Sequence, residues 1–418
     1  MHDDEIDATL VEADSRTAAI LEAERDRQRS SLQMIASENH ASPAVLRAQG
    51  SVFTNKYAEG VPGDRYYGGC EHVDDLERLA ILRAKELFGA EHVNVQPHSG
   101  SQANQAAMLA VLDPGDTILS ADLRNAGHLS HGHRANLAGR IYEVERYGLD
   151  PDTGLLDYEE LRERAEAVQP DLLVSGFSAY PRAVDWERIQ AIADDVGAYH
   201  LADIAHVTGL VAADVYPSPV GVADLVTGST HKTIRAGRGG LVICDAELAD
   251  AVDRAVMPGI QGGPAMHNVA GKAVGFGEAL EPAFESYAEQ VVENARALSD
   301  GLDDRGCRIV TGGTDSHLVL VDLRETHDLL GKTAERALED SAIVLNANAV
   351  PGDPRPPKDP SGIRAGTPAL TTRGFDADAM DEVADCIARV LENPDDDEVR
   401  RTVGRRVDDL CGAHPLYE

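Results

Sequence analysis

Apolar positions recur at helical spacing over 73–88 (VDDLERLAILRAKELF), and the pattern stops at Gly89. Short β-branched runs then alternate with helical periods. VNVQ at 93–96 predicts a strand, and 103–112 predicts a helix closed by Asp113, Pro114 and Gly115. Further strands are expected at 117–119, 172–175, 199–203, 225–227 and 241–244, with helices at 157–168, 185–196 and 246–256 between several of them. Strands alternating with helices imply an α/β domain on a mostly parallel sheet. A long helical stretch over 267–304 leads to a second pattern: HLVLVDL at 317–323, a helix near 333–341, IVLN at 343–346 and two closing helices, which suggest a smaller α+β domain. The Pro-rich segment 351–362 (PGDPRPPKDPSG) is expected to be a rigid loop within that domain, because IRAGTPAL follows it directly. The pattern divides the chain into 1–30, an acidic amphipathic arm; 31–280, a large domain; and 281–418, a small one. The arm reads equally well as a packing element or as a frayed terminus.

The 418 residues exceed the ~250–300 at which single cores stop growing, which agrees with two domains. With 43% hydrophobic and 26% charged residues the chain lies in the globular range. Asp and Glu number 72 against 38 Lys and Arg, for a net charge of −34, and only six of the cations are Lys. Such a surface repels nucleic-acid phosphate and anionic lipid, so neither nucleic acid nor membrane is an expected partner. Acidic, lysine-poor surfaces resemble those of proteins from salt-loving organisms, where ionic strength screens self-repulsion. The five cysteines are scattered without a C-x-x-C pair, so neither a disulfide framework nor a zinc site is expected. The acidic opening MHDDEIDATLVEAD is unlike a signal peptide, and no apolar run approaches the ~20 residues of a membrane span; a soluble, cytoplasmic protein is expected.

Candidate chemistry starts with Asp203, ending YHLAD, and Lys232 in STHK. Pyridoxal phosphate needs a lysine amine for its Schiff base and a carboxylate beside the pyridine nitrogen. At strand ends of an α/β sheet both would face a ligand, although a strand-end Asp is more often structural and a single Lys more often solvated. HSGSQAN at 98–104 turns from a strand into a helix, where backbone N–H groups and the hydroxyls of Ser99 and Ser101 suit a phosphate dianion or simply cap the helix. QGGP at 261–264 is a second Gly-rich turn.

Eight segments occur in one order: LQMIASENHASPAVL (32–46), TNKYAEGVPGDRYYGGCEHVD (54–74), NVQPHSGSQAN (94–104), GHLSHG (127–132), DIAHVTGLVAA (203–213), STHKTIRAGRGG (229–240), PGIQGGPAMH (258–267) and SGIRAGTPALTTRG (361–374). This series resembles that of the serine hydroxymethyltransferase family over 30–375. The resemblance implies a fold-type I pyridoxal-phosphate transferase: a large domain with a mostly parallel mixed sheet and a smaller α+β C-terminal domain. It implies that Lys232 forms the internal aldimine, Asp203 pairs with the pyridinium nitrogen, His128 stacks on the ring and His206 lies near its phenolic oxygen. Ser99, Gly100 and Ser101 would bind the phosphate, with Ser178 and His231 close by and Gly262 and Gly263 reaching it from the other subunit. Arg364 would clamp the amino-acid carboxylate, a task suited to a guanidinium fork. Ser37, Tyr57 and Tyr67 would line the substrate site, the tyrosines from the partner chain, and Arg238 would orient groups near Lys232 and Tyr67. Glu59 would move protons as general acid and base, a role for which a positioned carboxyl with a raised pKa is suited.

The implied reaction is reversible transfer of the serine hydroxymethyl carbon to a tetrahydropterin, tetrahydrofolate or a modified pterin, giving glycine through aldimine and quinonoid states. Leu123, Gly127, His128, Leu129, Asn348 and the prolines of 353–357 would contact the carrier. A threonine aldolase-like cleavage of 3-hydroxy amino acids is the carrier-independent alternative, and shared sites imply a homodimer or larger homo-oligomer. His40 departs from the family's frequent Tyr after SEN, and Thr208 from its usual small apolar residue.

Overall fold

The computed structural model describes residues 3–356 and 358–417. Its main sheet has seven strands: β1 (His92–Asn94), β2 (Thr117–Ala121), β3 (Glu143–Tyr147), β4 (Leu172–Ser175), β5 (Tyr199–Asp203), β6 (Leu225–Ser229) and β7 (Gly240–Cys244). They lie in the order β1-β7-β6-β5-β4-β2-β3. The pairs from β6 to β3 are parallel, and β7 alone runs against its two neighbours. Every other strand therefore presents its carboxyl end at one edge of the sheet, where α/β folds bind ligands.

Alternation along the strands builds two layers. Leu119, Leu173, Ala202, Val226 and Leu241 face one core with the helices Glu71–Phe88 and Met266–Ala279. Ile118, Leu172, Leu201, Leu225 and Val242 face the other, against Ala103, Ala107 and Met108 of the helix Gly100–Val111. The helix starts are those the sequence marks: Ser99, Asp157 and Asp185 cap Gly100–Val111, Tyr158–Val168 and Trp186–Val196. The stop at Gly89 is a left-handed residue, φ 61°. Strand β3 escapes the sequence pattern because it is an edge strand in which only Tyr147 is buried.

The expected long helix at 267–304 is two, Met266–Ala279 and Pro282–Asp304, because Pro282 starts a new first turn. The second core forms around β8 (Arg308–Ile309), β9 (Leu318–Asp322), β10 (Asn346–Asn348) and β11 (Gly362–Gly366), antiparallel in the order β8-β9-β11-β10. The IVLN run is split: Ile343–Val344 pairs in parallel with Leu32–Gln33, so Leu32 and Met34 pack in this second core. Phe284, Tyr287 and Val291, early in Pro282–Asp304, pack in the first core, and Leu298 and Leu302 of the same helix in the second. The Pro-rich segment connects β10 to β11 and is pinned by Asp353, whose carboxylate accepts from Ser361 N at 2.8 Å and Ser361 Oγ at 2.7 Å; Pro357 lies outside the described residues.

The N-terminal arm is two helices, Asp3–Ala13 and Ser15–Arg29, because Asp14 caps the second; residues 1–2 lie outside the described residues. No residue of Ser15–Arg29 is buried. Among the described residues no helix is long and apolar enough to cross a membrane.

Candidate active site

Turns leaving β1, β2, β4, β5 and β6 at the carboxyl edge carry, in order, Ser99 to Ser101, His128, Ser178, Asp203 with His206, and Lys232. The sheet thus converges residues that are far apart in sequence.

Asp203 is the best-held group. Its Oδ2 accepts from Asn104 Nδ2 at 2.8 Å and lies 2.8 Å from His131 Nε2, and its Oδ1 accepts from Ala205 N at 2.9 Å. His131 Nδ1 accepts from the His128 backbone N–H at 3.3 Å, so the proton sits on Nε2 and is donated to Asp203. Burial alone would favour a neutral carboxyl, but the hydrogen bonds from His131 and Asn104 outweigh it and hold Asp203 below the usual carboxylate range. Asn104 also donates to Ser130 Oγ at 2.8 Å, and Ser130 Oγ lies 2.7 Å from His128 Nδ1. Burial pushes His128 down to about 4, so its ring is neutral at physiological pH. His206 is also neutral, depressed by burial and then by the Lys232 charge, and its Nδ1 lies 3.3 Å from His317 Nε2.

Lys232 follows β6 in a turn whose carbonyl is gripped by Asn39 Nδ2 at 3.0 Å; Asn39 also reaches Tyr287 and Thr372. Its Nζ makes no hydrogen bond among the described residues. Burial lowers its pKa to about 8; Asp203 opposes that shift, and Arg364 and Arg238 add to it. Such an amine is available as a nucleophile near neutral pH.

At the turn before Gly100–Val111, Ser99 Oγ accepts from Gln102 N at 3.2 Å and Ser99 O from Ala103 N at 3.0 Å, which leaves the Gly100 and Ser101 amides of the first turn without intrahelical partners. A Cβ on Gly100 would stand 2.6 Å from Ser229 Oγ, so a side chain here would displace that hydroxyl of β6. Two free amides and a half-buried Ser101 hydroxyl form an anion cradle. Lys272 lies behind it, 1% exposed, its Nζ donating to Val95 O, Pro97 O and Gly240 O at 2.6–2.9 Å. A pyridoxal phosphate therefore fits the donors present: an amine, a fixed carboxylate and a phosphate cradle along one edge.

Arg364, on β11, is 9% exposed, and no carboxylate among the described residues pairs with it. Its Nε donates to Asn346 Oδ1 at 3.0 Å and its Nη1 to the Ser178 carbonyl. Burial lowers its pKa to about 10, and the guanidinium stays charged. A buried cation held only by neutral acceptors is a site for an anionic ligand. Asn348 lies two residues beyond Asn346 on β10 and hence on the same face. Leu123, Gly127 and the exposed Leu129 share the turn that carries His128. Ser178 Oγ donates to the carbonyls of Ala126 and Gly127, both at 3.1 Å. Ser37, His231 and Arg238 line a cavity of ≈ 270 Å³ with Asn39 and Gln49. Burial, then the Arg238 charge, lowers His231 to about 3.

The remaining expected residues lie apart. Tyr57 and Tyr67, 58% and 49% exposed, pack edge to face at 5.6 Å, and Tyr67 OH donates to Glu59 Oε2 at 3.2 Å. Gly262 and Gly263 lie against Glu59 and Tyr57. No hydrogen bond, ion pair or ring contact among the described residues joins this group to Lys232, Asp203 or Arg364. Of the two departures from the motif series, Thr208 is satisfied locally, its Oγ1 donating to Ile204 O at 2.9 Å, whereas His40 packs edge-on to Tyr417 and its buried Nε2 has no hydrogen-bond partner among the described residues.

Sequence reasoning passed over His131, Asn104, Asn346 and Asn39, which hold the expected residues. They lie in GHLSHG, HSGSQAN, IVLN and SENH, but a supporting contact has no spacing of its own in a linear pattern.

A family model described as serine hydroxymethyltransferase matches residues 10–387. The serine hydroxymethyltransferase of Halorubrum lacusprofundi is 67% identical over 408 residues, covering 97% of this chain and 98% of its own length. That of Halobacterium salinarum is 66% identical over the same 97% of the chain and 98% of its own length. That of Alkalilimnicola ehrlichii is 54% identical over 414 residues, 99% of each. Matches this long leave no part of the carboxyl edge outside the similarity, and the chain belongs to the serine hydroxymethyltransferase family.

Proposed function

We propose that this protein interconverts serine and glycine, passing the hydroxymethyl carbon to tetrahydrofolate, with pyridoxal phosphate held on Lys232. The observation that carries the reading is Arg364, a buried guanidinium without a carboxylate among the described residues, which reaches from the small sheet through Ser178 to the carboxyl edge that holds Lys232 and the fixed anion Asp203. When bound, pyridoxal phosphate supplies an aldehyde that condenses with amines and a ring that accepts the electron pair of a bond broken at the amino-acid Cα.

Lys232 would hold the cofactor through its amine, which burial keeps available near neutral pH. Asp203, kept anionic by His131 and Asn104, keeps a proton on the pyridine nitrogen. The neutral His128 ring offers an uncharged face for stacking, and neutral His206 a partner for the phenolic oxygen. The Gly100 and Ser101 amides, with the Ser99 and Ser101 hydroxyls, bind the phosphate, and Ser178 and His231 border that site. Arg364 takes the substrate carboxylate bidentately, and Ser37 and Arg238 flank it. Glu59 accepts and returns the proton of the serine hydroxyl, and Tyr57 and Tyr67 orient it. Leu123, Gly127, His128, Leu129 and Asn348 border the carrier.

Tyr57, Glu59, Tyr67, Gly262 and Gly263 serve the site of a second copy, which makes the working unit a homodimer or larger. What supports this is their grouping on an open face without contact to the Lys232 cluster. The arm 1–30, large domain 31–280 and small domain 281–418 form the working division, with Leu32 and Met34 crossing into the small core. A cytoplasmic location suits the chemistry.

Glycine formation from serine, measured with and without tetrahydrofolate, tests the reading. Strong carrier dependence is expected. Carrier-independent cleavage of 3-hydroxy amino acids as the only activity would replace it with the aldolase.

A further inference from the structure

Glu59 is half-buried beside the exposed Tyr57 and Tyr67, and its main chain is held from beneath by one guanidinium. Arg65 Nη1 donates to the carbonyl of Ala58 at 2.8 Å and to that of Gly60 at 2.6 Å, the residues on either side of Glu59. The rest of the fork is anchored on the helix Glu71–Phe88: Nε donates to Asp74 Oδ1 at 2.8 Å and Nη2 to Glu77 Oε2 at 2.6 Å. The Arg65 side chain is 3% exposed. Gln96, beyond β1, donates to Gly60 O at 3.0 Å and to Glu77 Oε1 at 2.7 Å. Asp74 Oδ2 accepts from Gly63 N at 2.7 Å, which closes the same loop.

A fold that needed only an ion pair here would be served by a point charge. A planar fork that grips both flanking carbonyls and two helix carboxylates fixes a direction as well as a distance. Because Asp74 and Glu77 already neutralise the guanidinium, it does not draw the Glu59 carboxylate down into the protein. Glu59 instead bonds Tyr67 OH and points Oε1 toward Gly262.

We propose that Arg65 is a positioning residue for Glu59: the buried Arg65–Asp74–Glu77–Gln96 cluster sets the path on which the Glu59 carboxylate leaves the hairpin, in which Gly60–Val61 pairs antiparallel with Asp64–Arg65. The proposal rests on the reading of Glu59 as the proton-transferring carboxylate.

The test is a double-mutant cycle in the holoenzyme with Arg65→Lys, which keeps charge and loses the fork, and Glu59→Gln. Arg65→Lys is expected to retain cofactor absorbance and to lower kcat roughly ten- to hundredfold, with KM for serine within about threefold, since misplacement acts on the reacting geometry. In the Glu59→Gln background the same change is expected to cost less than about threefold, because nothing is left to position. Equal losses in both backgrounds, or an unchanged kcat, overturn the proposal. If Arg65→Lys does not fold, Gln96→Met removes one donor to Gly60 O; a loss confined to the Glu59 background supports the proposal and an additive loss overturns it. Glu59→Gln alone separates the two ideas. Wild-type turnover in that variant sinks the role of Glu59 itself, whereas an impaired variant with additive Arg65 losses sinks only Arg65.

Discussion

The carboxyl edge of the main sheet and the surface of the 57–67 hairpin hold the two halves of the proposed site, and water treats them differently. At the sheet edge, burial works on every group: Lys232 falls to about 8, His128 to about 4 and Arg364 to about 10. Asp203 stays ionised there only because His131 and Asn104 hydrogen-bond it. At the hairpin, Tyr57 and Tyr67 lie open, and the burial goes into the Arg65 cluster beneath them. The first region has its ionisation states set within one chain, with Arg364 left for a ligand to pair. The second has its backbone finished and its side chains waiting for a cover, which a partner's sheet edge would supply.

The largest effect that tests this division is at Lys232. Lys232→Ala is expected to abolish the absorbance of lysine-bound cofactor and to lower turnover roughly a thousandfold or more, as removal of a covalent nucleophile does. Purified Lys232→Ala that keeps wild-type spectrum and rate would break the assignment of the buried region. Mixing Lys232→Ala with Glu59→Gln chains, each strongly impaired alone, probes the other half. If every site takes Lys232 from one chain and Glu59 from the other, random reassociation leaves about a quarter of sites intact, and activity should recover to that level. Failure to recover in verified hybrids would place both residues in one chain's site and remove the contrast.

Arg364 comes next. Its guanidinium has no acid to neutralise it among the described residues, so Arg364→Met removes a cation left for ligand to pair, and KM for serine should rise roughly a hundredfold, near 3 kcal/mol of lost pairing. Cofactor binding should persist. Steady-state kinetics and an absorbance titration separate the two, and a loss of cofactor with unchanged KM would put Arg364 elsewhere in the site.

The strand ends were legible because each buried strand is a short apolar run closed by a polar residue, as LVTGS shows before Lys232 and YHLAD shows in ending on Asp203. The motif series then named the residues at those ends. The contacts that fix them were not legible. Asn104 meets Asp203 across 99 positions and Asn39 meets Lys232 across 193, distances that only the assembled sheet closes. Strand β3 was invisible because an edge strand with one buried residue carries no apolar pattern. The break at Pro282 was visible as a proline, but the helical periodicity on both sides masked it.

The smallest effect concerns stability, and it should belong to the buried region alone. His200, in β5, is fully buried; its Nε2 lies 2.7 Å from Ser175 Oγ and its Nδ1 3.0 Å from Gln190 Oε1. Burial lowers its pKa to about 3, against about 6.5 in an unfolded chain. As pH falls through 6.5 the unfolded chain therefore takes up a proton that the folded one refuses, and stability drops until the pH nears the folded value. One such histidine costs a little under ~1 kcal/mol at about pH 6 and roughly 2 kcal/mol at about pH 5. His200→Gln carries its own packing penalty, but that penalty does not vary with pH. Denaturant unfolding of the variant should thus show an acid-induced loss smaller than the wild type's by those amounts. An identical pH dependence in the two proteins would mean that His200 accepts its proton in the folded state, and that burial at the sheet does not govern ionisation as it does in this comparison.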